Sequence, residues 1–133
     1  MEKFTKPEVR AMIRYGEVLI SCNRYVKYDA KCDFVNRVLE KIKGFAPFMR
    51  KKMDEMTSDD MKEALEIIKS MPLEKKRFFA SFLKAIMHFS SAEINEEECR
   101  FDISIREVAA LPEVSFSEAC DLMEEYIGYT KFY

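Results

Sequence analysis

The stretch from Pro72 to Ser91, PLEKKRFFASFLKAIMHFSS, constrains the fold more than any other part of the chain. On a helical wheel, Phe78, Phe79, Phe82, Leu83, Ile86, Met87 and Phe89, with Ala80 and Ala85, cover more than half the circumference. Arg77, Ser81, Lys84, His88 and Ser91 form the remaining polar strip. A helix that apolar around its girth must be enclosed by other elements. The pattern predicts a core helix over about 73–89, opened by Pro72.

Residues 7–24 share this character. Val9, Met12, Ile13, Gly16, Leu19 and Ile20 form one apolar stripe, and Ala11, Tyr15, Val18 and Cys22 a second. Arg10, Arg14, Glu17, Ser21 and Arg24 make the narrow polar strip. Thr5 followed by Pro7 and Glu8 reads as a capping box with an early helical proline. This helix is expected to pack against the one at 73–89.

Cap signals mark the remaining elements. Phe34, Val35, Val38, Leu39 and Ile42 predict an amphipathic helix over about 32–43, stopped by Gly44. A short helix is expected at about 47–56. Another is expected at 57–70, capped by Thr57 or Ser58, with Asp59 and Asp60 in its first turn. Asn95 with Glu98, and Ser115 with Glu118, mark two further starts, the last helix ending near Gly128. Phe101, Ile103 and Ile105 alternate with Asp102, Ser104 and Arg106, which is strand periodicity; the flanking caps and the length favour helix. Three Gly and four Pro in 133 residues leave little turn material for a many-stranded protein. The expectation is an all-α single domain over 1–133: a bundle of about six to seven helices with two central apolar ones. A long apolar helix, a polar loop and an amphipathic helix occur at 7–43 and again at 73–111, with no residue-level repeat.

Charge excludes some classes. Twenty-two basic and 24 acidic residues give a formal net charge of −2, so nothing draws the whole chain to nucleic acid or anionic lipid. The start, MEKFTKPEVR, has no apolar signal core, and no run approaches the roughly 20 apolar residues of a membrane span. A cytoplasmic protein is expected. Cys22, Cys32, Cys99 and Cys120 form no CxxC pair and read as reduced thiols.

No phosphate-loop, HExxH, GxSxG or dinucleotide motif occurs. His88, the single histidine, falls on a polar strip among cations and hydroxyls. Glu93, Glu96, Glu97 and Glu98 crowd a helix start, where carboxylates favour the dipole. Ser91, Glu93, Asn95 and Glu98 could offer oxygens to a hard cation. They lack the alternating acids and central Gly of an EF-hand, so neither a cofactor nor a resident metal is expected; Glu93, Asn95 and Glu98 are the residues a cation would use.

LKAIMHFSSAEINEEE, followed by an amphipathic helix, resembles TerB-like domains, the helical modules of tellurite-resistance proteins. Glu93, Ile94, Asn95 and Glu98 match that family's acidic loop over a likeness covering about 73–127. Ser91 and Ala92 stand where the family has Asp-Gly. The resemblance implies an all-helical, stress-associated or scaffold module. A second resemblance overlaps it: IREVAALPEVSFSEACDLM is similar to a helix-turn-helix of the Lac-repressor type. Val108, Ala109, Val114 and Ser115 fit the spacing, and Ala119 and Leu122 the buried positions. Glu113 occupies the usual glycine position. Five acidic residues and no basic one lie from Glu113 to Glu125, which opposes an approach to phosphates.

Basic residues gather at Arg50–Lys52, at Lys75–Arg77 and along Arg10, Arg14 and Arg24. Met49, Met53 and Met56 flank Arg50, Lys51 and Lys52. Thioethers repack easily around an apolar partner, so these six residues are the candidate partner-binding set. The expected function is a non-enzymatic protein-interaction or scaffold module that binds a protein partner or itself. The alternative is a nucleic-acid-associated regulator with a helix-turn-helix-like C-terminal segment.

Overall fold

The computed structural model describes residues 4–22, 35, 37–38, 58–88 and 96–127. These contain five helices and no strand: α1 Lys6–Ser21, α2 Ser58–Lys69, α3 Leu73–His88, α4 Glu96–Val108 and α5 Phe116–Ile127. Val35, Arg37 and Val38 are also helical. The short helix expected at 47–56 lies outside the described residues, as does most of the one at 32–43. No helix among the described residues is long and apolar enough to cross a membrane.

Local chemistry sets the helix ends. Thr5 is the N-cap of α1: its hydroxyl accepts from the Glu8 N–H at 3.3 Å, and Glu8 Oε1 accepts from the Thr5 N–H at 2.8 Å. This is the complete reciprocal box. At α5 only half forms. Ser115 Oγ accepts from the Glu118 N–H at 3.0 Å, while the Glu118 carboxylate turns away to Arg77 of α3. The α4 terminus is a Schellman motif. The Leu111 N–H reaches the Arg106 carbonyl at 2.9 Å, the Ala110 N–H reaches that of Glu107 at 3.4 Å, and Ala110 takes φ of 54°.

The helix that is apolar over most of its girth is central, as its wheel requires. α3 packs on α1, α4 and α5, while α1 also contacts α2 and α4. Phe78, Phe79, Phe82, Leu83, Ala85 and Ile86 are all buried. Gly16 marks a close approach of α1 to α3: a Cβ there would sit 3.4 Å from the Phe82 ring. Aromatic contacts tie the layers together. Phe4 meets Phe78 at 5.3 Å, and Tyr15 meets Phe79 at 6.5 Å and Phe101 at 6.0 Å. The Tyr15 hydroxyl donates to the Met61 carbonyl at 3.2 Å, satisfying its polar tip beside α2.

Three residues assigned to polar or solvated faces are buried instead: Glu17 on α1, and Ser81 and Lys75 on α3. Arg10 and Arg77 on the same strips stay exposed, so burial follows which positions the neighbouring helices cover, and Lys75 falls on the Phe78, Phe79 and Phe82 side of α3, where it meets Glu8. The strand-like alternation at 101–106 resolves as helix. Glu98, Phe101, Asp102 and Ile105 share the inner face, and Ile103 is left outside.

Candidate functional site

α4 and the turn after it build the most distinctive surface among the described residues. The helical period puts positions 98, 101, 102 and 105 on one face, and that face is turned inward. The outer strip consists of Glu96, Arg100, Ile103 and Glu107. Glu96 and Arg100 pair with each other, which leaves Ile103 and Glu107 for the solvent. Ile103 is 51% exposed, a large aliphatic side chain on an otherwise charged strip.

The Schellman turn then folds residues 109–115 back along the helix. Leu111, the first residue past the left-handed one, is buried, as the apolar member of such a motif should be. Between helix and turn lies an open groove of about 260 Å³, lined by Ile103, Arg106, Glu107, Leu111 and Glu113. Leu111 and Ile103 supply its apolar surface. That volume holds one or two anchoring side chains, below the usual size of a small-molecule pocket.

The charges of the groove are not balanced. Arg106 is held by Asp102, one turn earlier and nearly buried, at 3.0 Å. Its remaining reach is to the Glu113 carboxylate at 4.0 Å. Glu107, on the helix, and Glu113, on the turn, are both exposed and both line the groove. The imbalance extends beyond the groove. From 96 to 127 ten side chains are acidic and two basic, a net of −8, so the rest of the chain carries +6 toward the total of −2.

A second groove, of about 310 Å³, lies between the start of α1 and the end of α2, lined by Glu8, Glu66, Ile67 and Ser70. Its polar groups are already engaged. Glu8 binds Lys75 and the Thr5 N–H, and the Ser70 hydroxyl donates to the Glu66 carbonyl at 2.9 Å.

The sequence-derived candidates distribute unevenly. Of the cation set, Glu98 is fully buried on the inner face of α4, not displayed on a loop, while Glu93 and Asn95 lie outside the described residues. Glu97 and Glu98 are within electrostatic reach of Cys22, which brings the end of α1 to the first turn of α4. Burial first, and then these two carboxylates, push the Cys22 thiol upward. Met49, Arg50, Lys51, Lys52, Met53 and Met56 also lie outside the described residues, as does the His88 side chain. The basic clusters do not all reach solvent: Lys75 is buried against Glu8, and Arg14 lies 3.9 Å from Asp60 of α2.

The helix-turn-helix-like segment does form two helices around a turn. Ala109, Val114 and Ala119 are buried as that spacing requires, but Val108 is 49% exposed. The exposed side chains of α5 include Asp121, Glu124 and Glu125. Sequence reasoning did not single out Ile103 or the groove. The available signal was the phase of α4: once Glu98 and Ile105 are set on one face, Ile103 must fall on the other.

Comparison of the chain with protein-family models, with curated proteins and with solved structures found no match.

Proposed function

We propose that this chain is a helical protein-interaction module that works by docking and not by catalysis. The observation that carries the reading is Ile103, standing half in solvent beside the buried Leu111, with the groove between them. Ile103 shares its exposure with Leu73, Val108 and Phe116, and what sets it apart is the apolar groove beside it, where a partner side chain can anchor. The groove is too small and open to enclose a substrate, and among the described residues no three metal-binding side chains converge. The likeness of 73–127 to TerB-like scaffolds supports the same reading.

The test is a photo-activated cross-linking residue placed at Ile103 in the native host, with the same residue at exposed Glu63 on α2 as control. Protein adducts formed from position 103 and absent from 63 are expected. Nucleic-acid adducts, or no adduct from either position, would overturn the reading and favour the nucleic-acid alternative or neither.

A further inference from the structure

The same groove also specifies what kind of partner it takes, an inference that rests on the interaction-module reading. Its floor is aliphatic, from Leu111 and Ile103. Its rims are the Glu107 and Glu113 carboxylates, and Glu113 is almost fully exposed at 88%. Arg106, the cation within it, is held at 3.0 Å by the nearly buried Asp102. An incoming acidic group would therefore meet two carboxylates and a guanidinium whose terminal nitrogens already face Asp102 and Glu113, its unpartnered Nε being buried. An incoming cation would meet two carboxylates with room to approach. The segment that carries the groove repeats the sign: residues 96–127 have a net charge of −8, and Glu97 on α4 and Asp121, Glu124 and Glu125 on α5 are exposed.

We propose that the groove between α4 and the 109–115 turn docks a basic segment of a partner protein. One aliphatic side chain of that segment seats on Leu111 and Ile103, and flanking Lys or Arg residues pair with Glu107 and Glu113. The apolar anchor supplies affinity, while the carboxylate rims and the net negative charge of the segment set the choice of partner and speed the encounter.

The test uses the full chain and a fluorescent peptide of Leu and Lys at helical spacing, with a Leu and Glu peptide of the same register as counter-probe. Anisotropy should show the Leu/Lys peptide binding and weakening as salt is raised, and the Leu/Glu peptide not binding. Ile103→Asp, and Glu107→Lys with Glu113→Lys, should each weaken binding about tenfold or more. Glu63→Lys with Glu66→Lys on α2 changes net charge equally and should leave binding within about twofold. Circular dichroism of each variant checks that the fold is retained.

Equal weakening by the α2 control would show attraction to net charge alone and overturn the proposal, as would no binding of the Leu/Lys peptide. Sedimentation showing a dimer dissolved by Glu107→Lys would assign the groove to a second copy and overturn the choice of partner. Protein cross-links from position 103 with no Leu/Lys binding would defeat this inference alone. Absence of any protein cross-link would remove the interaction reading beneath it.

Discussion

Lys75 Nζ lies 2.7 Å from Glu8 Oε1, joining the first turn of α3 to the first turn of α1 across 67 residues of chain. Both side chains are mostly out of solvent, and the ammonium also sits 5.4 Å from the Phe4 ring centre. The same Glu8 oxygen accepts the Thr5 N–H, so one carboxylate caps a helix and holds two helices together. Breaking one side of a buried pair leaves a charge without compensation. Lys75→Ala should therefore cost about 3 kcal/mol in denaturant unfolding, and Glu8→Gln with Lys75→Met together should cost less than Lys75→Ala alone.

The pH dependence follows from the same contact. Burial alone would raise the Glu8 pKa, but the Lys75 ammonium and the Thr5 groups outweigh it and hold it below its ordinary value of 4.5. A carboxylate depressed on folding contributes stability above its unfolded pKa and loses it as pH falls through the folded one. The melting temperature should drop as pH is taken below about 4.5. In Glu8→Gln that part of the acid limb should be shallower; an unchanged limb would show that the pair does not couple to folding.

Ala110 holds the left-handed position that ends α4, with φ of 54°. A Cβ in that region is strained, and glycine is the usual occupant. Ala110→Gly should raise stability by about 0.5–1 kcal/mol, the steric relief exceeding the added unfolded-state entropy. Ala110→Val should lower it. Thermal denaturation of the pair measures both.

Gly16 offers the opposite case, a glycine inside a helix. A Cβ there would meet Phe82 at 3.4 Å and Ile86 at 3.6 Å, which is close but ordinary contact. Gly16→Ala should be neutral or stabilising by up to about 1 kcal/mol, since glycine costs about that much in a helix interior. Gly16→Leu should destabilise by more than about 2 kcal/mol, because it pushes the two central helices apart.

The described thiols should differ in reactivity. Cys99 is exposed on α4. Burial, joined by Glu97 and Glu98, raises the Cys22 thiol, and burial, joined by Asp121 and Glu124, raises that of Cys120. A raised thiol holds less thiolate near neutral pH and alkylates slowly. Iodoacetamide with peptide mapping should modify Cys99 before Cys22 and Cys120. Faster labelling of Cys22 would contradict the packing of α1 against the start of α4.

The positions of these helices follow from the sequence. The Thr5–Glu8 box, the Ser115–Glu118 cap and the apolar girth of 73–89 all act within a few turns, and each falls where the residues indicate. All three are local, because capping is a bond between residues three apart and a wheel depends only on the helical repeat. What the neighbours cover is not local. Glu17 and Ser81 sit on positions that a wheel assigns to water, and Lys75 belongs to a basic cluster read as a solvated face, yet all three are buried. Asp102 and Ile103 exchange the roles their polarity suggests. The phase of α4 is fixed by Phe101 and Ile105 packing on the core, and Arg106 stabilises the carboxylate carried inward with them. The groove draws on both levels. One side comes from the α4 face and the other from the turn that the Schellman bonds fold back on it, while the core packing of Phe101 and Ile105 decides that Ile103 faces solvent.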